Sequence, residues 1–190
     1  MDDVLKKLVE IIEKLYGAMA LGAAAAVVLL LLLHGGYLGG SYIGPFFTFL
    51  HVLSGVLWIG LLYYFNIVQI PTMPKIPAEL KPAIGKYIAP EALFWFRWSA
   101  ASTVATGLIV FFSGTAVMNW TIGLGMILGL IMAYNVWFII WPNQQIVLGM
   151  VSADDAAKAK AARLAMLTSR ANFVLSIPML YCMVTARLVN

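Results

Sequence analysis

Charge is what this chain has least of. Of its 190 residues, 12 are Lys or Arg and 8 are Asp or Glu, 11% together, against about a quarter in an ordinary soluble domain. A water-facing surface cannot be built from so few charges, which excludes a soluble globular fold. Cysteine is nearly absent as well. The single Cys182 cannot form an internal disulfide, and the lack of Cys-x-x-Cys-His excludes covalent c-type haem along with cysteine-based zinc and iron–sulfur sites. Histidine occurs twice, at His34 and His51. None of the long apolar runs contains Asp or Glu. A buried acidic relay for ion transport, a carboxylate acid–base pair and a multi-ligand metal site therefore all lack their groups. The expected set of catalytic residues is empty, and so is that of metal ligands. No basic stripe with interleaved aromatics is present, so nucleic acid is not an expected partner.

What fills the chain instead is apolar sequence. Hydrophobic residues make up 63% and the mean hydropathy is +0.93, the composition of an integral membrane protein. About 20 residues at 1.5 Å each cross the roughly 30 Å hydrocarbon core, and five runs meet that length. The expected fold is all-α: a single membrane domain, a bundle of five transmembrane helices over about 16–34, 46–68, 92–112, 117–141 and 167–187. Residues 1–15 place apolar side chains at Val4, Leu5, Leu8, Ile11, Ile12 and Leu15, the period of an amphipathic interfacial helix. The first span is small and Ala-rich from Gly17 to Ala26, which predicts close packing of that half against protein. Prolines at 71, 74, 77, 82 and 90 predict a broken helix after the second span, with a short interfacial helix around Ile84–Ile88. Pro178 is expected to kink the last helix.

The second span, FFTFLHVLSGVLWIGLLYYFNIV, holds the main candidate site. His51, Gly55, Trp58 and Leu62 recur at helical spacing and share one stripe. An imidazole inside a membrane helix is a functional candidate. His34 and His51 are candidate axial ligands of a haem b, which needs two imidazoles and a gap in the backbone packing, and Gly39, Gly40 and Gly55 offer room. The plainer reading is one interfacial histidine and one packed histidine bonded to a carbonyl. Arg97, flanked by Trp95 and Trp98, and Arg170 are candidates for an anionic or lipid headgroup, with snorkelling as the plain alternative. Asn66, Asn135 and Asn172 are expected to hydrogen-bond between helices. Gly125 and Gly129 form a G-x-x-x-G close-approach motif.

Charge orients the bundle. Eleven of the twelve basic residues fall on the side of the N-terminus, the 69–91 loop and the 142–170 stalk, and only Arg187 on the other. The positive-inside rule therefore places the N-terminus in the cytoplasm.

Three segments in order, LHVLSGVLWIGLLYYFN, YIAPEALFWFRWSAASTVATGLIVFF and NVWFIIWPNQQIVLGMVSADDAAKAKAARLAMLTSRANFVLSIPML, resemble the membrane domain of the bacterial membrane-bound urate oxidases (urate hydroxylases). The likeness runs over about Phe46 to Ala186. Its more specific parts are Trp95 to Trp98 and the Pro-Asn-Gln at 142–144. It implies a multi-span bundle in a bacterial-type inner membrane, an association with electron transfer, and a condensed version of the family in which nothing corresponds to the cytochrome c domain. Where that family tends to place histidine and asparagine after the stalk, this chain has Thr168, Ser169, Arg170 and Asn172. The H-x(6)-W-x-G pattern at His51, Trp58 and Gly60 also looks like a helix of other small membrane haem proteins.

These readings lead to a non-catalytic or accessory transmembrane subunit of a larger, redox membrane complex. Its expected partners are membrane lipids and other membrane subunits or further copies of itself. Two alternatives stand beside it: a haem b electron-transfer protein using His34 and His51, and a urate-oxidase-like enzyme working with a separate cytochrome c.

Overall fold

Apolar runs of spanning length dictate helices, since in lipid every backbone polar group must bond within its own segment. The computed structural model describes residues 3–37 and 42–188. Among these residues helix is the only regular structure, and five helices are long and apolar enough to cross a bilayer. The helices are α1 (Asp3–Ile12), α2 (Leu15–His34), α3 (Ile43–Lys75), α4 (Lys81–Phe112), α5 (Trp120–Val147) and α6 (Asp155–Thr185). The chain divides into two compact units, Met1–Ile43 and Gly44–Asn190.

In the first unit α1 is amphipathic as its spacing predicts, with Lys7 and Asp3 paired at 3.1 Å on its exposed face. Gly17 lets α2 begin close against the Ile11 carbonyl. None of the residues of α2 is buried within the first unit. A 3-10 turn, Gly35–Tyr37, follows His34. Gly39 and Gly40, expected to leave room for a ring, lie outside the described residues.

The second unit is the bundle of α3 to α6. Its core gathers Trp58, Leu62, Phe65, Phe96, Met132 and Val136, with Phe65 and Phe96 meeting edge to face at 5.4 Å. Asparagines tie the helices together as expected. Asn66 Nδ2 donates to Ser169 Oγ at 2.9 Å. Asn172, fully buried, donates to the Met132 carbonyl at 3.0 Å and accepts from Asn135 Nδ2 at 2.8 Å. Asp154 caps α6 by accepting from the Ala157 N–H at 2.7 Å.

The prolines do not end the helices in which they fall. The helices of the second and fourth apolar runs continue past 68 and 141 to Lys75 and Val147, and the 84–88 segment is part of α4 rather than a separate helix. Three π-helical turns explain this: Tyr64–Gln69, Ile84–Ile88 and Asn135–Ile140. After each, one residue donates its N–H five back (Ile70 to Phe65, Ala89 to Ile84, Trp141 to Val136), and the next residue is Pro71, Pro90 or Pro142. A proline ring in an α-helix clashes with the carbonyl four residues back. The wider turn moves that carbonyl aside, and the helix continues. Pro178 likewise falls inside α6 without ending it.

Candidate functional site

His51, Gly55 and Trp58 stand on the face of α3 turned to α4, where Thr103 and Gly107 answer them. His51 Nδ1 lies 2.8 Å from the Thr103 carbonyl oxygen. A carbonyl can only accept, so Nδ1–H is the donor, and in the neutral ring Nε2 keeps its lone pair. In a helix the side chain four residues on normally crowds a carbonyl against an outside donor. Four residues on from Thr103 is Gly107. A Cβ there would lie 3.0 Å from both Cε1 and Nδ1 of His51. The missing side chain is therefore the seat of the imidazole. The Thr103 hydroxyl turns back to the Ser99 carbonyl at 2.7 Å and does not compete for the ring.

A cavity of about 550 Å³ opens among α3, α4, α5 and α6 beside this pair, within the roughly 300–1,000 Å³ of small-molecule sites. His51, Gly55, Trp58, Gly107 and Gly129 line it, with an otherwise mostly aliphatic, aromatic and methionine wall. Trp58 is 2% exposed, and its Nε1–H is buried without a hydrogen-bond partner among the described residues. An unpaired buried donor costs about 1–3 kcal/mol, which an acceptor on a bound molecule would offset. Arg187 is the one Lys, Arg, Asp or Glu on the lining. His51 and Trp58 thus border a large apolar volume with a guanidinium at one end.

The remaining sequence candidates sit elsewhere. His34 belongs to the first unit, where its ring lies 5.4 Å from that of Tyr42. Arg97 places its guanidinium 3.3 Å over the Trp141 ring of α5, rather than resting between its neighbours Trp95 and Trp98. The Arg97 carbonyl accepts from Trp137 Nε1 at 3.2 Å. Its Nη1 is buried and unpartnered among the described residues, as are Asn66 Oδ1 and Gln69 Oε1. Arg170 is exposed on α6.

Residues 110–188 match the family model described as urate oxidase N-terminal. No curated protein and no solved structure matches the chain. The urate oxidase N-terminal-like stretch is less than half of the chain and takes in the end of α4, α5 and α6. It supplies Gly129, Arg187 and the methionine wall of the cavity, while His51, Trp58, Thr103 and Gly107 precede it. Sequence reasoning found the α3 side of this site and missed Thr103 and Gly107, while Gly129 had stood out only as part of a close-approach motif and Arg187 only as the lone basic residue assigned to its side.

Proposed function

We propose that the second unit is the cofactor-bearing transmembrane part of a larger redox assembly, holding haem b through His51 and carrying electrons instead of catalysing a reaction alone. One observation carries this reading: the Nδ1–H bond from His51 to the Thr103 carbonyl at 2.8 Å, with Nε2 left free beside an apolar cavity. Metal-bound histidines characteristically donate their second ring N–H to a carbonyl or carboxylate, which fixes the tautomer and raises the basicity of the ligating nitrogen. When bound, a haem would supply one-electron chemistry at iron. The residues of this chain do the rest. His51 orients the ligating nitrogen, Gly55 and Gly107 leave room beside it, and the apolar wall excludes water.

The test is the absorbance spectrum of the full chain, purified from its own membranes in mild detergent. A Soret band that disappears in His51→Ala, with helical circular dichroism unchanged, supports the reading. A colourless but folded wild-type protein removes it.

The family match over residues 110–188 favours a second reading, an enzyme of the urate-oxidising kind that hands electrons to a separate cytochrome. It predicts urate-dependent reduction of added cytochrome c. Membranes rich in the protein that never reduce it count against this reading.

A further inference from the structure

We infer that Arg187 is the carboxylate anchor of the cavity, so that the group bound there is an amphiphile with an apolar ring body inside and an acidic edge at the mouth. The inference rests on the haem reading and specifies which way round the group is held. Four observations carry it.

Among the described residues Arg187 is the only fixed charge on the cavity lining. Within the bundle it is also uncommitted: its one hydrogen bond among the described residues is Nη2 to the Thr115 carbonyl, at a long 3.5 Å. A guanidinium has five N–H donors in a planar fork suited to a carboxylate, so most of its capacity is unused. Arg187 lies two residues beyond the end of α6 at Thr185, where the carbonyl-rich C-terminus keeps a cation in place.

Its level in the bundle follows from its neighbours. Thr115, which accepts from Arg187, also packs against Gly44 at the start of α3. The guanidinium is thus at the Gly44 end of the cavity. His51 is seven residues further along α3, a rise of about 10 Å. An iron held at His51 and carboxylates held at Arg187 would therefore be separated by roughly two helical turns. The propionate arms of a tetrapyrrole and an extended arginine together bridge that distance. In the opposite orientation the carboxylates would point toward the core around Trp58 and Leu62, where no cation lines the wall. Burying an ionised carboxylate there without a partner is far costlier than pairing it at the mouth.

The experiment compares haem b with its dimethyl ester, in which both carboxylates are blocked. Full-length wild type, Arg187→Gln and Arg187→Lys are each loaded with either form in detergent. The rate of loss to excess apomyoglobin is followed at the Soret band. Wild type should lose the ester about tenfold faster than the diacid, as expected for one charge-assisted hydrogen-bonded pair. Arg187→Gln should lose both forms at the same, faster rate, and Arg187→Lys should fall between. If the Gln variant does not fold, the ester comparison on wild type and the Lys variant still decides. Equal loss of diacid and ester from wild type overturns the anchor while leaving haem binding at His51 intact. Failure of wild type to take up either form, with its cavity emptied of lipid, overturns the anchor and the haem reading together. An adventitious surface haem would show neither the ester preference nor a response to Arg187.

Discussion

Gly107 and His51 illustrate how one residue can owe its role to another 56 positions away in the chain. The histidine stood out in the sequence because an imidazole is costly in a membrane helix. Its partner did not, because a threonine carbonyl carries no sequence signature and the glycine that exposes it looks like any other membrane glycine. Gly107→Ala should push the imidazole away from the Thr103 carbonyl, since the added methyl would lie 3.0 Å from two ring atoms. The expected outcome is a weakened or shifted Soret band with the helical content unchanged, and a spectrum identical to wild type would sink the proposed seat. Asn66 and Asn172 were legible in kind, as polar groups that a bilayer forces into interhelical bonds. Their partners, Ser169 and Met132, were not, because many carbonyls lie within reach of any buried amide.

At the scale of the helix, proline and glycine spoke less plainly than their reputation suggests. The proline run from Pro71 to Pro90 reads as a break, yet Pro71, Pro90 and Pro142 each follow a π turn that lets the helix run on. The sequence carries the proline but not the choice between ending a helix and widening it, which packing of the neighbouring turns decides. The G-x-x-x-G pair splits in the same way. A Cβ on Gly125 would lie 3.0 Å from the Cβ of Cys182 on α6, while nothing lies within 4 Å of one on Gly129. Gly125→Ala should therefore destabilise the bundle by about 1–3 kcal/mol through overpacking, whereas Gly129→Ala should stay within about 0.5 kcal/mol. Denaturant titration in mixed micelles distinguishes them. Equal costs at both positions would show that α5 and α6 do not approach as described.

For the whole molecule, the proposed topology places eleven basic residues on the cytoplasmic side and Arg187 across the membrane. On that proposed topology the mouth of the cavity would open on the outer side, since Arg187 lines it. Alkaline phosphatase fused at the C-terminus should be active, and a fluorescent protein fused at the N-terminus should fold in the cytoplasm. The opposite pair of results would invert the bundle and turn the cavity mouth to the cytoplasm. An opening on the outer side suits a group exchanging electrons with a partner there, the geometry the redox-assembly proposal needs.

Composition alone settled the class of this protein. With 11% charged residues and five apolar runs of spanning length, no arrangement other than membrane helices satisfies the backbone. It also nominated His51, because the scarcity of polar groups makes each one conspicuous. Tertiary structure decided what those groups face. The Thr103 carbonyl and the gap at Gly107 come from α4, the indole of Trp58 from α3 and the guanidinium of Arg187 from the residues just after α6. Helix packing brings them to one cavity, and that depends on side-chain shapes across the bundle, which no local pattern along the chain records.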